Sequence, residues 1–260
     1  MTVASLAFED RGDGPVVVLV HGHPFDRSMW EPQQEPLERL FRVLAPDLRG
    51  YGESSATPGT VTMRELAGDV EALLDELEID SAAVVGLSMG GLVAMELVIA
   101  DPDRWWALGL VATTAEPVTE AERRERLAMA ETLEAEGMEP LADSMAGRLF
   151  GSACPQQVVG RVVRMMRDNN PQGAAAALRG RARRPEYRPD LAALELPAFV
   201  CVGTADTWST RAVTDALVNG LADPRLLSLP EVGHLPNLES PDVFNLELVR
   251  FLQASYATRA

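Results

Sequence analysis

The chain predicts an α/β fold, a mostly parallel central sheet with helices on both faces and an inserted all-helical cap. Three observations carry that expectation. Short, continuous apolar runs alternate with segments of helical periodicity. From about residue 116 to 185 the strand runs stop and only helical patterns remain. Strand runs then resume, so the helical stretch interrupts one βαβ series. The expected organisation is a core of residues 1–115 and 186–260 with a cap of residues 116–185. With 260 residues, 47% of them hydrophobic, the chain is long enough for one well-buried core.

The elements follow in order. "PVVVLVHG" (15–22) reads as a buried parallel strand ended by glycine, and "FRVLAPDLRG" (41–50) as another. "TMRELAGDVEALLDELEI" then has capping-box spacing at Thr62 and Glu65, with Leu66, Val70, Leu73, Leu74 and Leu77 at helical intervals. "SAAVVG" (81–86) is a strand, followed by a helix from about Ser88 to Ala100 that Asp101-Pro102 ends. "WALGLVAT" (106–113) is the last strand before the insertion. The insertion opens on a second capping box, Thr119 and Glu122, in a helix that stops at Gly137. Further helical patterns occupy 139–150, 155–168 and 171–183. "LPAFVCVG" (196–203) and "RLLSLP" (225–230) restore the strands. A final helix opens at Ser240-Pro241 and turns Phe244, Leu248, Phe251 and Leu252 inward.

Composition excludes several classes of function. The formal net charge is -16, which repels nucleic acid and anionic membranes. Every one of the 23 basic residues is arginine. Without lysine there is no Schiff base, no Ser-Lys nucleophile and no phosphate-loop lysine. Two unpatterned cysteines, Cys154 and Cys201, make neither a disulfide framework nor a zinc site. No cofactor and no metal is expected. The N-terminal stretch lacks a basic start followed by an apolar core, and no apolar run reaches the ~18 residues of a membrane helix. The expected location is the cytoplasm, as a monomer or homodimer.

The stretch that carries chemistry is "VVGLSMGGLVAM" (84–95). "GLSMG" fits G-x-S-x-G between a strand and a helix. There a nucleophile sits on a strained elbow whose neighbours at plus and minus two, Gly86 and Gly90, must be small. A small-residue junction in a buried core would give a similar pattern. A serine hydroxyl needs a base, and the chain has three histidines, His21, His23 and His234. His234 lies in "LPEVGHLPNLE", a loop bounded by glycine and proline after the last strand. Asp206, in "CVGTADTWST", ends a strand and would hold the histidine tautomer; it also fits a helix cap. The chain order is Ser, Asp, His.

With these segments in that order, the chain resembles the α/β hydrolases that carry a helical cap. "LVHGHPFDRSMW" is similar to that family's oxyanion loop, "APDLRGYGES" to the loop after its next strand, and "GLSMGG", "VGTAD" and "EVGHLPNLESP" to its nucleophile, acid and base segments. The resemblance implies Ser88 as nucleophile, His234 as base and Asp206 as its partner, with the backbone N–H groups of His23 and Met89 as oxyanion hole. The second donor also follows from the elbow, because Met89 opens a helix and its N–H is free. His21 is expected to pack beneath the loop, and Asp47 and Arg49 to fix it.

The implied reaction is cleavage of a small-molecule carboxylic ester or lactone through an acyl-enzyme. The cap segments "MAGRLFG" and "NNPQGAAAALRG" are similar to those of 3-oxoadipate enol-lactonases, with Leu149-Phe150 in place of that group's W-F pair. Perhydrolases (cofactor-free haloperoxidases) keep the same triad, and C–C bond hydrolases, cyclases and binding proteins share the framework. Pocket candidates are Phe25, Trp30, Met145, Leu149, Phe150 and Trp208. The cap methionines Met129, Met138, Met165 and Met166 suit an adaptable apolar lining or helix packing. The Arg179, Arg181, Arg183 and Arg184 cluster suits a substrate carboxylate or pairing with surface acids.

Overall fold

The structure is a computed structural model that describes residues 4–259. Its first half contains β1 (Phe8–Arg11), β2 (Val16–Val20), α1 (Glu31–Glu38), β3 (Arg42–Pro46), α2 (Met63–Glu76), β4 (Ala82–Leu87), α3 (Met89–Ala100) and β5 (Trp105–Val111). Four helices follow without a strand: α4 (Glu120–Glu136), α5 (Glu139–Ala146), α6 (Gln156–Asp168) and α7 (Pro171–Arg181). The remainder is α8 (Arg188–Leu191), β6 (Pro197–Gly203), α9 (Arg211–Val218), β7 (Asp223–Leu229), α10 (Pro236–Glu239) and α11 (Pro241–Ala257).

Among the described residues, seven strands form one sheet in the order β1-β3-β2-β4-β5-β6-β7. Only β1 is antiparallel to its neighbour. The central β4 and β5 are buried along their whole length, which is why they read as unbroken apolar runs. Helix α3 is apolar on nearly every side because it is covered by the sheet on one face and by α2 on the other. Both capping boxes are formed: Thr62 with Glu65 opens α2, and Thr119 with Glu122 opens α4. Helix α11 buries Phe244, Leu248, Phe251 and Leu252, as its spacing predicts.

Five elements escape the sequence reading, β1, α1, α9 and the one-turn helices α8 and α10, the first three for local reasons. Strand β1, "FEDR", is a short, solvent-facing edge with three charged residues and no apolar run. Helix α1 carries Pro32 in its first turn and Pro36 inside, so its sequence reads as loop. Helix α9 follows the "DTWST" turn with only Thr214 and Leu217 buried.

The helices between β5 and β6 pack on one another, α4 against α7 and α5 against α6. Helix α7 approaches the core through the buried run Ala174–Ala177, and Val61 N–H donates to Ala176 O at 3.1 Å. Asn169 ties the same region to the β2 loop. Its Nδ2 donates to Pro24 O at 3.0 Å, and its Oδ1 accepts from Gly52 N–H at 3.0 Å. No helix among the described residues is long and apolar enough to cross a membrane.

Candidate active site

The segments after the C-terminal ends of β2, β4, β5, β6 and β7 supply His23, Ser88, Thr113, Trp208 with Ser209, and His234 to the wall of one cavity of about 580 Å³. The rim of strand C-termini is where parallel sheets place their sites. The rest of the wall comes from the helical segment, with Arg126 and Met129 of α4, Leu141 and Met145 of α5, and Leu178 and Arg181 of α7.

Ser88 sits at a sharp strand-to-helix turn with φ 53° and ψ -111°. Its N–H still pairs with Val111 O of β5 at 2.8 Å, and Thr113 Oγ1 donates to Ser88 O at 2.7 Å. The elbow is therefore pinned from both sides. Ser88 is half-buried between the fully buried Leu87 and Met89, so the turn lifts one residue out of a sealed stretch. The flanking glycines are steric requirements. A Cβ on Gly86 would stand 2.1 Å from Gly90 O, and one on Gly90 would stand 2.1 Å from Val20 O. At Gly91 a Cβ would meet Thr113, so this glycine admits the residue that holds Ser88 O.

His234 Nδ1–H donates to Asp206 Oδ2 at 2.7 Å, which leaves Nε2 as the outward nitrogen. Both residues are buried. Burial alone would raise the Asp206 carboxyl. The bond and charge of His234, with the backbone N–H groups of Trp208 and Ser209, hold it below its ordinary value instead. His234 N–H donates to Leu149 O at 2.7 Å. Around it, the Glu239 carboxylate accepts from Gly151 N–H at 2.7 Å and from Gly233 N–H at 3.1 Å. Trp208 stands edge-on to the His234 ring at 4.9 Å, with the Arg148 guanidinium 4.6 Å from the Trp208 centroid.

The β2 loop has two histidines with different surroundings. His21 is buried, with Nδ1–H donating to Gly22 O at 2.9 Å and Nε2 accepting from Leu48 N–H at 2.9 Å. Burial pushes its basicity down and it is a neutral brace beneath the loop. His23 Nδ1 pairs with Tyr51 Oη at 2.7 Å, while its buried Nε2 has no protein partner among the described residues. Burial, then the nearby Arg181, His21 and Arg126, hold His23 well below its ordinary value, so it too is neutral. Asp47 fixes this loop by accepting from Arg27 N–H at 2.7 Å and Glu53 N–H at 2.9 Å. Arg49 pairs with buried Asp69 through Nε at 2.7 Å.

The pocket candidates divide. Met145 and Trp208 line the cavity, whereas Phe25, Trp30, Leu149 and Phe150 are absent from its wall. Phe25 is buried in the core beneath the β2 loop, and Trp30 packs against Phe244 at 6.5 Å. Helix α5 stops at Ala146, short of the helical pattern at 139–150. Leu149 and Phe150 then turn down onto the core, where Leu149 meets the His234 loop through its backbone. Of the other cap methionines, Met129 reaches the cavity, while Met138, Met165 and Met166 are spent on packing. In the arginine cluster, Arg179 pairs with Glu134 at 2.6 Å and Arg184 stands 3.7 Å from Glu122. Arg181 and Arg184 line the cavity. Thr113 and Arg126 lie in no motif, and Tyr51 and Glu239 lie in family-like segments whose pattern does not single them out.

The family model described as "Alpha/beta hydrolase family" matches residues 17–247. The chain belongs to the α/β hydrolases. A 3-oxoadipate enol-lactonase of Acinetobacter baylyi is 30% identical over 236 residues, covering 89% of this chain and 86% of that protein. A thermophilic esterase from Thermogutta terrifontis, solved with malate bound, superposes with a TM-score of 0.95 at 36% identity, covering 97% and 94% of the two chains. The enol-lactonase of Burkholderia xenovorans LB400 superposes with a TM-score of 0.89 at 32% identity, covering 96% and 97%. This α/β hydrolase is thus similar to lactone- and ester-cleaving relatives along nearly its whole length.

Proposed function

We propose that the protein is a serine hydrolase that cleaves a small carboxylic ester or lactone through an acyl-enzyme. The observation that carries this reading is a strained, half-exposed Ser88 in the same cavity as a His234 whose other ring nitrogen is bound to buried Asp206. Ser88 Oγ attacks the acyl carbonyl and passes its proton to His234 Nε2. Asp206 keeps the tautomer and stabilises the imidazolium. The N–H groups of Met89 and His23 receive the oxyanion, the first because a helix-opening residue has no intrahelical acceptor. His234 returns the proton to the leaving alcohol, then activates water to release the acid. The enol-lactonase and esterase relatives support ester or lactone as substrate class.

The test is turnover of short p-nitrophenyl esters, γ-lactones and, for perhydrolysis, acetate with hydrogen peroxide. Ester or lactone cleavage should dominate. His234→Ala should lower kcat by about 10³-fold or more with the fold retained by circular dichroism. A folded variant with wild-type turnover removes His234 from the mechanism.

A further inference from the structure

The helical roof of the cavity has a charge pattern that ester cleavage alone does not need. Four arginines and two glutamates, Arg126, Arg148, Arg181, Arg184, Glu122 and Glu125, line the cavity of a chain whose formal net charge is -16. Elsewhere the surface repels anions; here it gathers guanidinium groups. Glu122 is shared between two of them, 2.9 Å from Arg126 and 3.7 Å from Arg184. The Glu122 carboxyl is buried enough to rise, yet the Thr119 N–H and these arginines hold it down at about 2, so it stays ionised. Arg148 is taken up by the Trp208 ring at the mouth.

Arg181 is left over. Among the described residues it forms no ion pair and no side-chain hydrogen bond. Its Nε is sealed from solvent without a partner, as is Nη1 of Arg126 on the facing helix. Desolvation, with Arg126 and Arg184 close by, lowers the Arg181 guanidinium to about 9. A cation in such surroundings is costly unless an anion joins it. The unpartnered His23 Nε2 lines the same cavity, and Arg181 is close enough to depress that imidazole.

We infer that Arg181 and Arg126 form a carboxylate-binding subsite in the roof of the cavity, so that the substrate is an ester or lactone bearing a free carboxylate. The proposal rests on the hydrolase reading and deepens it. Glu122 offsets one arginine of the inner trio Arg126, Arg181 and Arg184. Planar guanidinium N–H groups match the planar carboxylate. The carboxylate fixes one end of the substrate at α4 and α7, and the carbonyl to be attacked lies toward Ser88 at the other wall.

The experiment compares mono-p-nitrophenyl glutarate with p-nitrophenyl butyrate in the wild type, Arg181→Met and Arg179→Met. The ratio of kcat/KM, charged over neutral ester, should fall about 10- to 100-fold in Arg181→Met, the factor expected for a charge-assisted hydrogen bond. Arg179, which pairs with Glu134 away from the cavity, should leave the ratio within twofold on substitution. Should Arg181→Met fold poorly, the wild type answers alone: glutarate should inhibit butyrate ester turnover competitively at concentrations where glutaramide and inorganic phosphate do not. Calorimetry on Ser88→Ala separates the two readings, because glutarate binding needs no turnover. Glutarate bound by Ser88→Ala and lost on adding Arg181→Met upholds the subsite even if no ester is cleaved. Ser88-dependent cleavage with an unchanged ratio, or equal inhibition by glutaramide or phosphate, overturns the subsite and leaves the hydrolase reading intact.

Discussion

Ser88 holds a backbone conformation that costs about 1–3 kcal/mol for an L residue, at φ 53° and ψ -111°. The hydrogen bonds of its N–H to Val111 O and of Thr113 Oγ1 to its own carbonyl maintain that conformation. Space for the turn comes from the glycines. Gly90→Ala would drive a Cβ into backbone at 2.1 Å, and backbone cannot step aside as a flexible side chain can. It should destabilise the fold by about 1–3 kcal/mol or more, measured as a shift of the urea midpoint. Gly147→Ala, where a Cβ meets nothing within 4 Å and φ is -75°, is the matched control and should stay within about 0.5 kcal/mol. Equal midpoints for the two variants would remove the steric account of the elbow. The residues of this centre were legible because each sits in a short local pattern: Gly-x-Ser-x-Gly, an aspartate ending a strand, a histidine in a Gly-Pro loop. Arg181 was legible only as one of a cluster, because the side chains that distinguish it from Arg179 lie on other elements.

At the scale of elements, α4 joins local signal to long-range function. Its capping box is written in Thr119-x-x-Glu122 and is formed as read. The same Glu122 also lies between Arg126 and Arg184, a role no local pattern reveals. Its folded-state value of about 2 lies below the ordinary 4.5. Between those values the unfolded chain binds more protons, so stability rises with pH. The contribution is fully present above 4.5 and is lost as pH falls toward 2. Glu122→Gln should therefore be less stable than the wild type at neutral pH, with the gap closing across that window. Chemical unfolding at neutral pH and in acid measures it, and a gap constant with pH would contradict the assignment. Of the pocket candidates, Met145 and Trp208 line the cavity, whereas Phe25, Trp30, Leu149 and Phe150 do not. Leu149 and Phe150 stand in the cap segment that resembles the enol-lactonases, but where a helix ends decides which way the residues after it face. Helix α5 stops at Ala146, and Leu149 goes down into the core. Prolines hid α1 and charge hid β1, since both features normally mark chain outside regular elements.

At the scale of the molecule, the mostly parallel sheet and the helical interruption follow from patterning, because a buried parallel sheet demands apolar runs and a helical stretch breaks their rhythm. The cavity does not follow in that way. It is a space between two separately patterned bodies of chain, and its shape depends on how α7 lies over the β2 loop through Asn169 and the Ala174–Ala177 run. The proposed nucleophile, its base and the acid partner come from residues 88, 234 and 206, so their chemistry exists only when the sheet is assembled. A fluorophosphonate probe followed by intact-mass and peptide mass spectrometry tests this most directly. The folded protein should take up one equivalent, on Ser88, with uptake abolished in Ser88→Ala, slowed by about 10³-fold or more in His234→Ala, and absent from the wild type in denaturing urea. A folded protein that takes up no probe, or takes it up on another residue, would contradict the account.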